Sequence, residues 1–265
     1  MKKLLLSLFV AGFTLSAFCQ KTETRAVSGF TGIDASSAFE ITVTKGNTES
    51  LTVEADENAM PYVRSEVKQG VLHLYLDNNK KVRNIKTLKA TVVMKNLEKV
   101  SLSGACKLTG NGTFTPDAFS GNCSGASHFD LHLNTGQMTV KTSGASKINL
   151  HADVAGKAKF DMSGASKLNV ELKAVDVQFY SSGSNKLEIT GSASDILVDV
   201  SGASNISAGD FSVNSASVKS SGSCSITLNV AETLNVNSSG ASSVHYKGSP
   251  VINAKTSGAS KIRQL

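Results

Sequence analysis

The chain has no tryptophan, only four cysteines in 265 residues and little charge, and each scarcity removes a class of function. Charged residues make up 18% of it, alternate in sign and leave a formal net charge of +6. Lys2 and Lys3 stand before an apolar run at the start; without them the surplus is 6 − 2 = +4, too small for a nucleic-acid binder. Beyond that start lie Cys106, Cys123 and Cys224, an odd number that cannot be fully paired. No cysteine pair has the spacing that would join histidines in a structural-zinc site, and no serine elbow or phosphate loop is present. The many glycine-rich phrases are not followed by a helix that could hold an anion at its N-terminus. Aromatics, at 6%, are sparse for subsites that grip a polysaccharide, and past Phe18 no apolar run is long enough to cross a bilayer.

What is abundant is one phrase, Ser-Gly-Ala-Ser and its close variants, centred on Gly104, Gly125, Gly144, Gly164, Gly183, Gly202, Gly222, Gly240 and Gly258. A spacing of 18 to 21 residues over nine copies marks a solenoid, in which each unit buries its apolar face against its neighbours. Around each glycine apolar residues alternate with polar ones, the period of a strand. Met138, Val140 and Thr142 precede one corner; Ile148 and Leu150 follow it. Each coil is therefore expected to be a strand, a tight corner, a second strand and a variable return loop. Strands that recur in the same sense must pair in parallel, and such crossovers are right-handed in about 98% of cases. The expected fold is an all-β, right-handed parallel β-helix with small residues stacked at one corner. At roughly 4.8 Å per coil, nine coils span on the order of 40 Å.

Residues 1–19 read as a signal peptide: two lysines, an apolar run from Leu4 to Phe18, and Ala17 and Cys19 as the small residues of a cleavage site. The mature chain would begin at Gln20; acylation of Cys19 is the rival reading. Residues 20–265 are expected to form a single β-helix domain, irregular and capping over 27–100 and regular over 101–265. Ile33, Ala35, Ser36-Ser37-Ala38, Ile41 and Val43 look like a degenerate earlier coil with Ser37 in the glycine's place. Strands are expected at Leu51 to Ala55 and Val71 to Leu76. Asp56 to Val67 reads as a loop or short helical turn and Asn78 to Lys86 as an exposed loop, before strands at Thr91 to Met94 and Val100 to Leu102. Cys106 and Cys123 lie in adjacent coils, as buried thiols or as a bridge, whereas Cys224 is six coils from Cys106 and out of bridging reach.

Several blocks carry a specific resemblance: Phe30-Thr31-Gly32-Ile33-Asp34, Phe39-Glu40-Ile41-Thr42-Val43 with Lys45-Gly46, Val53-Glu54-Ala55-Asp56-Glu57-Asn58, Val71-Leu72-His73-Leu74 and Leu97-Glu98-Lys99-Val100-Ser101-Leu102-Ser103-Gly104-Ala105. In this order they resemble the family called the putative auto-transporter adhesin head GIN domain, over nearly the whole mature chain. The resemblance implies a right-handed β-helix exported by bacteria of the Bacteroidetes type, without an established biochemical activity and without a functional-residue motif to carry over.

Two outward columns are candidate binding sites. Three residues after the glycines come Lys107, His128, Lys147, Lys167 and Lys186. Lys147, Lys167 and Lys186 would make a track for an anionic glycan, or would simply be edge-protecting lysines that fan into solvent beside Asp130 and Glu188. Three residues before the glycines come Lys141, Asp161, Tyr180, Asp199 and Lys219. Asp161, Tyr180 and Asp199 would suit a sugar-binding groove. The two aspartates, about 9.6 Å apart at the backbone, stand near the carboxylate spacing of inverting glycosidases. The same residues would otherwise form two cross-strand ion pairs, Lys141 with Asp161 and Asp199 with Lys219. His132 and His151 fall seven residues after their glycines and could stack about 5 Å apart, where they could share a metal or simply be solvated surface histidines; a third ligand in register is not expected. No catalytic residue, metal or cofactor is assigned.

The expectation is an exported, non-enzymatic β-helix of the periplasm, outer-membrane surface or exterior, serving as a binding or adhesion module for an anionic glycan or an envelope protein. Nucleic acid is not an expected partner, no transmembrane segment is expected, and the solenoid ends could support a homo-oligomer. The alternative is a carbohydrate-active β-helix enzyme of the lyase or glycosidase kind.

Overall fold

The computed structural model describes residues 20–77, 82 and 84–265. The expected signal peptide with Cys19, and part of the expected loop at 78–86, lie outside the described residues. The chain opens with strands β1 (Gln20–Arg25), β2 (Gly32–Ala35), β3 (Glu40–Lys45) and β4 (Ser50–Asp56), then a 3-10 turn at Met60–Tyr62. Strands β5 (Val63–Lys68), β6 (Val71–Leu76) and β7 (Leu88–Met94) follow. Regular coils then alternate a strand before the corner with one after it. They run β8 (Lys99–Leu102) and β9 (Lys107–Phe114), β10 (Ala118–Cys123) and β11 (His128–Thr135), β12 (Gln137–Thr142) and β13 (Lys147–Val154), β14 (Lys157–Met162) and β15 (Lys167–Lys173). Beyond β16 (Asp176–Ser181) the returns straighten. β17 (Lys186–Gly202), β18 (Asn205–Gly222) and β19 (Ser225–Ser238) run from one corner to the next as continuous strand, where a return loop was expected. The chain closes with β20 (Ser243–Lys247), β21 (Val251–Thr256) and β22 (Lys261–Gln264).

Pairing is parallel throughout the regular coils and builds two ladders joined at the corner. The strands before the corner stack β2–β8–β10–β12–β14–β16–β17 and onward. Those after it stack β3–β9–β11–β13–β15–β17. The fold is a parallel β-solenoid, and its core is a file of inward side chains, with Phe129, Phe160, Phe179 and Phe211 almost wholly buried. Where two phenylalanines need the same layer the sequence gives way. Gly121 occupies an inward position, and a Cβ there would come within 3.0 Å of Phe129 and 3.1 Å of Phe119, whose rings pack edge to face.

The corner phrase has a physical reading residue by residue. The backbone ladder continues through it, because the N–H after each glycine donates to the carbonyl of the glycine one coil below, as Ala145 does to Gly125 at 2.8 Å. This places that carbonyl directly under the next glycine's Cα. A Cβ on Gly144 would lie 2.6 Å from Gly125 O, and Gly144 also has φ +81. The last serine turns inward and satisfies a carbonyl of its own corner, Ser127 Oγ donating to Ser124 O at 2.8 Å and Ser146 Oγ to Ser143 O at 3.2 Å. The first serine can tie its coil to the one below, as Ser163 Oγ does to Thr142 O at 3.1 Å. Asn185 replaces the inward serine in one coil; it accepts from Ser166 N–H and donates to Ser182 O and Ser181 Oγ.

Ser37 does hold the glycine's place in an earlier corner, with φ 82, and Ala105 N–H donates to its carbonyl. Below it the coil gives way to a cap of antiparallel strands. β6 pairs in parallel with β2, and β5 pairs antiparallel with β6; β7 pairs with β3, β4 antiparallel with β7, and β1 antiparallel with β4. Of the loop or short helical turn expected over Asp56 to Val67, the helical turn is present as a 3-10 turn at Met60–Tyr62, and it runs straight into strand β5, which was not expected. The alternating charges of Arg64, Glu66 and Lys68 mark the outer face of an end strand. Arg64 meets Asp77 and Lys68 meets Glu66 there.

Candidate functional site

The sheet before the corner carries a long concave surface. A groove of about 620 Å³ runs along the corner from Ser101 to Asp199, its outer wall made by Lys141, Asp161, Tyr180 and Asp199. These side chains are in strict register, Lys141 beside Asp161, Asp161 beside Tyr180, Tyr180 beside Asp199 and Asp199 beside Lys219. Alternation within each strand points them outward, and the corner serines Ser143, Ser163 and Ser182 also line the groove. Two more hollows extend the same face. One, of about 440 Å³, is lined by Lys219, Asn237 and Lys255; the other, of about 350 Å³, is lined by Asp176, Gln178 and Asp195.

Inside the groove the electrostatic pairing differs from the expected ladder. Among the described residues neither Lys141–Asp161 nor Asp199–Lys219 forms an ion pair. Asp161 is instead met by Lys159 Nζ at 3.3 Å, and the same ammonium sits 5.0 Å from the centroid of the Tyr180 ring. Lys159 lies two residues before Asp161, on the same face of β14, and takes the carboxylate although Lys141 is its in-register neighbour across the ladder. Lys159, outside the groove lining but in contact with Asp161 and Tyr180, is the partner that column-by-column reading missed. The signal was present in the period-two triplet Lys159-Phe160-Asp161, one residue in and two out.

The sheet after the corner carries the basic column. Lys107, His128, Lys147, Lys167 and Lys186 are neighbours in register. Glu188 neutralises much of its upper part, reaching Lys167 at 3.2 Å and Lys186 at 2.6 Å, and these two ammonium groups hold its carboxyl below the usual range. Lower down, Asp130 accepts from Asn149 Nδ2 at 3.1 Å, and Asn149 accepts from Asn169 Nδ2 at 2.9 Å. His128 Nδ1 faces Lys147 O at 2.9 Å, and burial lowers its pKa. Lys147 has no carboxylate at ion-pair distance among the described residues. The column thus lies on a different sheet from the groove, and the six candidate residues form two separate sets. Farther out on this sheet His132 and His151 are in register with their rings stacked, centroids 5.1 Å apart.

The three thiols of the described residues are unpaired and buried. Burial, and then the neighbouring Cys106, push the Cys123 thiol up to about 12. No helix among the described residues is long and apolar enough to cross a membrane.

A family model described as "Putative auto-transporter adhesin, head GIN domain" matches residues 29–155 and again 151–250. Among solved structures, a putative adhesin from Parabacteroides merdae superimposes with a TM-score of 0.75 at 17% identity, covering 93% of this chain and 96% of that one. A putative adhesin from Parabacteroides distasonis gives 0.77 at 18%, over 94% and 98%. A putative lipid binding protein from the same species gives 0.66 at 19%, over 93% and 96%. No curated protein matches the chain. At these identities the likeness to solved structures shows a shared fold.

Proposed function

The chain belongs to the putative auto-transporter adhesin, head GIN domain family, and from that premise we propose that it is an exported, non-catalytic binding module whose ligand is a glycan chain laid along the groove beside the corner. The observation that carries this reading is the coincidence of a 620 Å³ groove with the Lys141, Asp161, Tyr180 and Asp199 column. A solenoid offers one polar side chain per coil, roughly every 4.8 Å, along a straight wall. Such spacing suits a ligand that repeats along its own length. Tyr180 supplies the apolar platform, and the aspartates and corner serines supply hydrogen-bond partners for hydroxyl groups. The groove is favoured over the Lys147, Lys167 and Lys186 track because Glu188 already neutralises two of those lysines and the groove is concave.

Catalysis is disfavoured by the same geometry. Tyr180 stands between the two aspartates, and Asp161 is engaged by Lys159, so the pair does not converge on one bond.

The test is a glycan array probed with residues 20–265, with any binder then measured on two triple variants. Asp161→Asn/Tyr180→Ala/Asp199→Asn is expected to lose binding, and Lys147→Glu/Lys167→Glu/Lys186→Glu to keep it. The reverse result, with affinity falling steeply in salt, moves the ligand to the basic track. A ligand indifferent to both triples removes both candidate columns. New reducing ends or unsaturated products released from a bound glycan would show an enzyme. Acyl-chain vesicles belong in the same screen, since one neighbour in fold is described as lipid binding.

A further inference from the structure

Seven residues beyond three successive corner glycines stand His132, His151 and Glu171, on β11, β13 and β15. Backbone pairing places them side by side, His132 against His151 and His151 against Glu171. The imidazole rings are nearly parallel, 20° apart, with centroids separated by 5.1 Å. Glu171 Oε2 lies 3.0 Å from His151 Nδ1. In the neutral ring this contact puts the proton on Nδ1 and leaves the Nε2 lone pair free. A carboxylate on one imidazole nitrogen with the other nitrogen open is the arrangement that orients metal-binding histidines and makes them better donors.

We propose that His132 and His151 together bind one late divalent transition-metal ion, Zn²⁺, Ni²⁺ or Cu²⁺, with Glu171 as a positioning residue and water completing the coordination. The donor set selects the metal class: two imidazoles suit these ions, whereas Ca²⁺ and Mg²⁺ take oxygen ligands. Both rings rise from adjacent strands of a continuous ladder, so no loop has to be ordered for binding. Binding requires both rings to turn out of the stacked arrangement so that one nitrogen of each faces a common ion. Among the described residues no group of three or more His, Cys, Asp or Glu side chains is arranged to hold a metal. The site is therefore a two-imidazole site, with affinity in the micromolar rather than the nanomolar range. It clips two neighbouring coils on the sheet opposite the groove and leaves coordination positions open to an oxygen or nitrogen donor from whatever docks there. It does not depend on the glycan reading.

The experiment is isothermal titration of tag-free residues 20–265 with Zn²⁺ and with Ni²⁺ at pH 7.5. One equivalent is expected to bind. His132→Gln and His151→Gln should each weaken it at least tenfold without changing the far-UV circular dichroism, since both rings lie on the outer face. Glu171→Gln should keep the stoichiometry and weaken binding about tenfold or more. His73→Gln and His245→Gln should change nothing. Absence of binding at millimolar metal, or binding that survives either His132→Gln or His151→Gln unchanged, overturns the site. An unchanged affinity in Glu171→Gln overturns the positioning role alone.

Discussion

Replacing Gly183 by alanine isolates the feature on which the whole rod depends. Gly183 has φ +98, and an added Cβ would run into the carbonyl oxygen of Gly164, with Gly164 N at 3.2 Å and its carbonyl carbon at 3.3 Å. Left-handed backbone alone costs an L-residue about 1–2 kcal/mol. The steric part adds to it, because the carbonyl cannot swing away: it accepts the Ser184 N–H at 2.8 Å. Parting the coils stretches that bond, worth about 1 kcal/mol, and overpacking of this kind costs about 1–3 kcal/mol more. The expected loss is about 3–6 kcal/mol, a fall in Tm on the order of 10 °C for a chain of this size. Gly183→Val should fall further. Gly70 provides the internal control, with φ +73 and nothing within 4 Å of its Cβ, so Gly70→Ala carries the backbone term only. Ser37 makes the same point naturally. It adopts φ 82 at the first corner, with no earlier glycine corner beneath it for its Cβ to meet. Thermal unfolding of the two alanine variants decides the matter. A Gly183→Ala protein that melts within a degree of wild type, or no lower than Gly70→Ala, would refute the stacking argument.

Asn185→Ala should cost about 2–4 kcal/mol by chemical denaturation, since it strands the buried Ser166 N–H and the Ser182 carbonyl at once. The thiols of Cys106, Cys123 and Cys224 should stay unreactive toward a maleimide at pH 8 in the folded protein and all react in guanidinium, because they are buried and burial holds Cys123 near 12. Glu188→Gln should change stability by no more than a few tenths of a kcal/mol, and by less in high salt, because its ion pairs are exposed. Since the folded carboxyl of Glu188 is depressed below 4.5, its small contribution is present above that pH and lost as pH falls through the lower folded value. Wild type and Glu188→Gln melting curves should therefore converge under acid conditions.

The regular coils were legible in the sequence because repetition exposes them. Nine glycines in one column reveal the corner, and period-two alternation about them reveals both sheets. The cap was less legible because antiparallel strands that occur once leave no repeat to align. Val63–Lys68 reads as a polar loop until the outward Arg64, Glu66 and Lys68 are seen as one face of an end strand. The straightened returns of β17 to β19 were hidden for a related reason. Ser192 to Asp195 has the composition of a loop, yet Ser192 and Asp195 pair with the coils on both sides and Ala193 with the next one. At the groove, position in the column was legible and partnership was not. Register put Asp161 beside Lys141, but its ion pair is with Lys159 on its own strand, and no alignment of columns weighs one against the other.

The architecture itself bears on what such a protein can do. Corners of four residues and short returns leave few loops to rise from the regular coils, so their chemistry must come from outward side chains fixed about 4.8 Å apart along the axis. Convergent catalysis needs acid, base and substrate held within hydrogen-bond reach of one bond, with geometry tuned to fractions of an ångström. A straight ladder supplies instead a series of equivalent, separated contacts. Their strength lies in number, and a long ligand can engage several coils at once while a short one engages few. The glycine corner keeps the wall straight: each Ala or Ser N–H is locked to the carbonyl one coil below, so the groove beside it arrives pre-formed and little ordering is needed when a ligand is bound. On the proposed reading, the residues that make the fold repetitive are the same ones that would let it recognise something repetitive.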